Sequence, residues 1–189
     1  MNAPFPKPPL RMSRAEYRAW AEAQPRGRFE RVAGEVVAMA AERAAHNLVK
    51  AQAWRALDAA VRTAKLPCQT FTDGMTVEIG EDYDYEPDAV VNCGDRLPGD
   101  AVAAPNPVIV VEVLSPSTQS TDTGAKLADY FRVPSVRHYL ILRADRPQVI
   151  HHRRRDSGEG IETRVVTEGA IRLDPPGIEV AVADFYPEA

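Results

Sequence analysis

A chain of 189 residues with 26% charged and 44% hydrophobic residues can bury one sizeable core and has the composition of a folded protein rather than a disordered one. Its formal net charge of −4 lacks the basic excess of a general nucleic-acid binder. The longest apolar run, "VIVVEVL", is far short of the roughly 18 residues a membrane helix needs. The opening segment has prolines and charges where a signal peptide needs an apolar block. Cys68 and Cys93, the two cysteines, form no CxxC pair, so neither a disulfide scaffold nor a zinc knuckle is indicated. A cytoplasmic protein without membrane association is expected.

The first nine residues hold four prolines and read as an extended arm over residues 1–12, leaving 13–189 as a single domain. Ser13 followed by Glu16 fits a capping box, which predicts a short helix from Arg14 that ends before Pro25. In "RFERVAGEVVAMA" the alternation breaks at Ala33-Gly34, predicting a hairpin with Glu35 just past its turn. Glu42 to about Lys65 contains no Gly or Pro and spaces His46, Val49, Ala53, Leu57 and Val61 as one helix face. "PCQTFTDGMTVEIG" predicts two strands paired around Asp73-Gly74. "DYDYEP" reads as the polar approach to a further strand, "DAVVNC".

"VIVVEVL" predicts a central strand, because near-continuous β-branched residues imply burial on both faces. Thr121 or Asp122 can cap a helix running through Phe131. "VRHYLIL", "QVIHHRR", "IETRVV" and "IEVAV" supply further strands. "HHRRR", the densest basic run, reads as a strand edge whose solvated charges discourage aggregation and can meet phosphate. The order predicts a mixed α/β (α+β) domain in which a central sheet is flanked by helices.

Two charges stand out against this frame. Glu112 lies inside the most apolar strand, where an ionised carboxylate must be paired, protonated or metal-bound. Asp88 sits between Pro87 and "AVV", and adjacent strands would set its carboxylate beside that of Glu112. Two close carboxylates suit a hard divalent cation such as Mg²⁺ or Mn²⁺. Lys126 is one of four lysines, with Lys7, Lys50 and Lys65, among 23 basic residues. It shares a helix face with Tyr130 at i+4 and can supply a positive charge to such a site.

Structural alternatives stand beside these readings. Asp88 can cap a turn; Glu112 can pair with Arg132 or Arg137. Lys126 can pair with Asp122 or Asp129, and Glu35 can be a surface residue of its hairpin. His46 reads as a packing or surface histidine, since no second histidine stands at i+4.

"EPDAVV", "VVEVLSPST" and "DTGAKLADYFRVPSVRHYLIL", taken in order, resemble the Uma-type restriction endonuclease family, a branch of the PD-(D/E)xK nuclease superfamily. The resemblance runs from about Glu30 to Val149 and takes in the "GE" of the first hairpin and the histidine near the start of the long helix. It implies a restriction-endonuclease-like core and a metal-dependent endonuclease acting on DNA. Asp88, Glu112 and the main-chain carbonyl of Val113 are then the metal ligands. The superfamily's usual lysine position is Leu114 here, and the resemblance moves that role to Lys126 on the following helix. Glu35 matches an additional acidic residue of the site. A homodimer is expected by analogy with enzymes that cut both strands. The alternative expectation is a catalytically silent nuclease fold that serves as a nucleic-acid-binding or homodimeric assembly module.

Overall fold

The structure is a computed structural model, and it describes residues 11–114, 124–156 and 160–187. Most of the predicted proline-rich arm, the helix cap at Thr121 or Asp122 and the "SPST" segment lie outside the described residues.

The first helix, α1, spans Arg14–Glu22 and opens on the predicted capping box, with Ser13 N donating to the Glu16 carboxylate at 2.8 Å. The hairpin that follows pairs β1 (Phe29–Val32) with β2 (Glu35–Ala38). Its turn needs left-handed backbone at Ala33 and Gly34, with φ of 52° and 80°, and glycine accepts that conformation without steric cost. The long helix α2, Ala44–Thr63, buries His46, Val49, Lys50, Ala53, Leu57 and Val61 along one face, as the helical spacing predicts.

Four strands follow: β3 (Cys68–Thr72), β4 (Val77–Ile79), β5 (Tyr83–Tyr85) and β6 (Ala89–Cys93). They correct two expectations. Asp73-Gly74 is a turn, with Gly74 at φ 94°, yet β3 and β4 do not pair across it. β3 pairs with β6, and β4 pairs with β5 in another sheet. "DYDYEP" likewise contributes β5 itself rather than only an approach to β6.

The core strand β7, Pro107–Leu114, is buried at all eight positions. Beyond it come α3 (Lys126–Tyr130), β8 (His138–Arg143), β9 (Val149–Arg154), β10 (Ile161–Val166), β11 (Ala170–Leu173) and β12 (Ile178–Ala181), closed by a 3₁₀ turn over Val182–Phe185. The main sheet has six strands in the order β10-β9-β8-β7-β6-β3, and its β7–β8 pair is parallel while its other neighbours are antiparallel. A second sheet runs β2-β1-β5-β4, and β11 pairs with β12. The predicted mixed α/β architecture is thus present.

Alternate residues of β7 face two different cores, which is why the strand tolerates no polar face. Val111 and Val113 pack with Val49, Ala53 and Leu57 of α2. Val110 packs on the opposite side with Val77, Tyr85, Tyr130 and Tyr139.

Two further readings are corrected by this layout. β9, which carries "HHRR", is an interior strand because β10 covers it, and His151 and His152 are buried at 6% exposure each. Cys68 and Cys93 stand directly opposite each other on β3 and β6 and are joined by a disulfide. Strand pairing brings together two residues 25 positions apart, which no local cysteine spacing reveals.

Candidate functional site

β7 carries Glu112 toward its C-terminal end, on the face shared with Val110. The first turn of α3 lies over that end and brings Lys126 and Tyr130 to the carboxylate together. Lys126 Nζ donates to Glu112 Oε1 at 2.9 Å, and the Tyr130 hydroxyl donates to the same oxygen at 2.7 Å. The i+4 spacing sets both donors on one helix face. Glu112 and Lys126 are each 5% exposed. The buried carboxylate is therefore compensated by a cation and a hydroxyl, as burial in low dielectric demands. Arg132 and Arg137 pair elsewhere, with Asp129 and Asp156.

Lys126 has a second carboxylate. Its Nζ lies 3.0 Å from Glu30 Oε1, and that oxygen also accepts from Glu86 N at 3.0 Å. The Tyr85 ring sits under the ammonium, with its centroid 5.1 Å from Nζ. Glu30 comes from the middle of β1. The small sheet thus delivers an acidic residue to a site built on the large one.

Asp88 precedes β6 by one residue. The β6–β7 register ends at Ala89↔Val111, so one further step sets Asp88 across from Glu112. Its Oδ2 accepts from Val113 N at 2.7 Å, and its Oδ1 lies 3.2 Å from His46 Nε2. Pro87 donates no amide and Asp88 takes over a β7 amide, which ends the ladder while satisfying a buried donor.

His46 comes from the first turn of α2, and polar atoms of Glu42, His46 and Asp88 lie within 4.8 Å of one another. Burial disfavours the imidazolium, but the hydrogen bond and charge of Asp88, with the charge of Glu42, raise the His46 pKa above its ordinary value. His46 Nδ1 is buried without a hydrogen-bond partner. Lys50, on the same helix face, bonds Glu42 and lies 3.0 Å from Asp73 Oδ2. Here too burial works against the charged form, and the two carboxylates reverse it and raise the Lys50 pKa.

Of the expected residues, the structure joins Glu112 to Lys126, and it sets Asp88 across from Glu112 on the adjacent strand with its carboxylate turned to Val113 N and His46. Val113 joins them through its amide. Glu35 is exposed at the start of β2, paired across the turn with Val32, and is not brought into the group. Glu30 stands where Glu35 was expected. Glu30 is buried with Phe29 and Arg31 in "FERV", but no apolar run around it marks the charge as anomalous, as the strand of Glu112 does. His46 is expected from the sequence to be a packing or surface histidine, and its contact with Asp88 depends on the approach of α2 to the start of β6, which helical spacing does not display.

The donor set fits a divalent cation. Asp88 and Glu112 offer carboxylate oxygens at the ends of adjacent strands, which suits Mg²⁺ or Mn²⁺. Glu42 and His46 extend the donors around Asp88.

Residues 14–183 match the family Uma2, described as "Putative restriction endonuclease". An uncharacterized protein, slr1290, of Synechocystis sp. (strain ATCC 27184 / PCC 6803 / Kazusa) is 27% identical over 194 residues, which cover 98% of this chain and 94% of that protein. The crystal structure of a protein described as a "putative nuclease belonging to DUF820", from Anabaena variabilis ATCC 29413, superposes with a TM-score of 0.71 at 14% identity. That match covers 92% of this chain and 97% of that one. At such identity the likeness establishes the shared fold. No helix among the described residues is long and apolar enough to cross a membrane.

Proposed function

The chain belongs to the Uma2 family of putative restriction endonucleases, and from that premise we propose that it is a metal-dependent endonuclease that hydrolyses phosphodiester bonds of DNA. The observation that carries the reading is the position of Lys126. Leu114 occupies the usual lysine place, two residues after Glu112, and the ammonium arrives instead from α3, 2.9 Å from the Glu112 carboxylate. A buried cation held between Glu112 and Glu30 supplies what Leu114 cannot.

Asp88, Glu112 and the Val113 carbonyl would hold Mg²⁺ or Mn²⁺, whose chemistry is to neutralise the scissile phosphate and acidify a water. The remaining work falls to side chains of this chain. Tyr130 fixes the Glu112 oxygen that faces Lys126. The Val113 amide and His46 hold the two oxygens of Asp88, so this carboxylate is oriented before substrate arrives. Lys126 places a fixed positive charge where the phosphoryl oxygens gain negative charge during displacement, and such preorganised charge is worth about 10²–10³ in rate. Glu30, the second carboxylate on the ammonium, holds Lys126 in position. Glu35 has no part in this arrangement.

Nicking of supercoiled plasmid tests the proposal, run with Mg²⁺, Mn²⁺ or a chelator. Cutting is expected with either ion, absent with chelator, and lost in both Glu112→Gln and Lys126→Ala. A folded, metal-loaded wild type that leaves double- and single-stranded DNA intact would transfer the fold to a silent binding role. Cutting that survives both substitutions would place the chemistry elsewhere.

A further inference from the structure

β10 is the outermost strand of the six-stranded sheet and is bonded to β9 on one side only. Its backbone directions follow from the hydrogen bonds around β9. Arg154 N donates to Arg137 O of the β8 side, and Arg155 N donates to Gly160 O of the β10 side. Alternation in an antiparallel ladder then turns the backbone groups of Glu162, Arg164 and Val166 toward β9. Those of Ile161, Thr163 and Val165 point away from the sheet.

Such an edge is a template for another strand unless it is blunted by proline, a bulge or lysines. β10 has no proline, bulge or lysine, and its two charges, Glu162 and Arg164, neutralise each other along the strand. Its register with β9 runs unbroken from Ile161↔Arg154 to Val166↔Val149. Ile161 and Val165 are moreover 38% and 59% exposed, on the same face of the strand.

We propose that this edge pairs antiparallel with the same edge of a second copy, about a two-fold axis through Thr163. The sequence of the edge selects the occupant and the register. An isologous pair can be centred on Glu162, Thr163 or Arg164 with the strands fully engaged. Centring on Glu162 opposes two carboxylates, and centring on Arg164 opposes two guanidiniums, both unfavourable. Centring on Thr163 sets Glu162 against the partner's Arg164, and Arg164 against the partner's Glu162. The same register sets exposed Ile161 against the partner's exposed Val165 on the opposite face, again twice. It also aligns the outward backbone groups of Ile161, Thr163 and Val165 with those of the partner's Val165, Thr163 and Ile161. Charge, apolar surface and backbone direction thus agree on one self-complementary pairing.

The pairing would join two six-stranded sheets into one of twelve strands. The cross-sheet row Glu112, Ile141, Ile150, Val165 sets Val165 on the face that carries Glu112. A two-fold axis normal to the sheet keeps both Glu112 faces on the same side. The two sites proposed above would then address a single duplex from one surface.

Sedimentation velocity of the full chain tests the interface without reference to activity. Wild type is expected to sediment as a dimer at micromolar concentration. Arg164→Glu and Glu162→Arg should each weaken the dimer at least tenfold, because each sets like charges opposite one another. The double change Glu162→Arg/Arg164→Glu should restore it. Thr163→Pro removes an outward amide that β9 does not use, so it should give a monomer with unchanged far-UV circular dichroism. A monomeric wild type across this range would overturn the proposal. So would single charge reversals that remain as dimeric as wild type.

Discussion

Lys126 is the residue on which the candidate site turns, since its ammonium is buried between Glu112 and Glu30 rather than solvated. Removing one member of a buried ion group leaves the others uncompensated, at a typical cost of about 3–5 kcal/mol. Lys126→Met should therefore lower unfolding free energy by that order in urea titrations with chelator present. If Mn²⁺ binds the carboxylates, the ion should recover more stability in the variant than in wild type. Glu30 and Glu35 can be separated in the same spirit. Glu30→Gln should lower the nicking rate by at least about tenfold by loosening the hold on Lys126, whereas Glu35→Gln should leave it within about twofold. Equal losses in the two variants would return Glu35 to the site. Glu112, Asp88 and Lys126 were legible because each breaks a local rule: a charge in an apolar strand, an acid behind proline, a lysine in an arginine-rich chain. Glu30 is buried as well, but it stands in a four-residue strand beside Arg31, with no apolar run around it to mark the charge as anomalous.

At the scale of elements, turn chemistry proved readable, and strand partnership was readable for β1 with β2 but not for β3 and β4. Gly34 and Gly74 both adopt left-handed backbone, and both positions carry the turn residues that permit it. One turn closes a hairpin and the other passes the chain from the large sheet to the small one. The difference lies in what the following strands bury, which involves residues far along the chain. The small sheet is fixed by a clamp that crosses its elements. Arg31, at 0% exposure, bonds Asp84 of β5 at 2.5 Å, Met12 O at 3.1 Å and Glu81 O at 2.6 Å. Arg14 of α1 bonds the other oxygen of Asp84 at 2.5 Å. Because Glu30 is the neighbour of Arg31 on β1, the clamp also sets where Glu30 meets Lys126. Arg31→Met should cost about 3–5 kcal/mol by leaving Asp84 buried with one partner fewer. It should also reduce cleavage under conditions where the variant is still folded. Stability loss with full activity would show that β1 holds Glu30 without the clamp.

At the scale of the whole molecule, the sheet and the β11–β12 hairpin are tied together by two buried histidines. His138 Nδ1 lies 2.9 Å from His151 Nε2, and His138 Nε2 lies 3.0 Å from Pro175 O, between β11 and β12. A neutral pair satisfies these contacts: His138 donates to the carbonyl and accepts from His151. Burial, then the neighbouring His151 and the arginines Arg153 and Arg137, push His138 down to about 3. Burial, then His152 and Arg153, push His151 down to about 4. In the unfolded chain both titrate near an ordinary value of about 6.5. Between those limits the unfolded state binds protons that the folded state excludes, so stability must fall as pH falls. Each tenfold loss of proton affinity on folding is worth about 1.4 kcal/mol, so the decline from pH 6.5 to 4 should reach several kcal/mol. Over pH 6.5 to 5, His152, also lowered by burial, adds to this slope, whereas His46, raised by Asp88, and Glu86, raised by burial, oppose it; the two-histidine variant therefore isolates the contribution of the pair. Urea unfolding across that interval should give a positive slope of stability against pH in wild type. The slope should flatten in His138→Leu/His151→Leu, whatever that variant loses in absolute stability. An unchanged slope would mean that both imidazoles take up protons in the folded protein, and that the neutral pair does not hold the hairpin to the sheet.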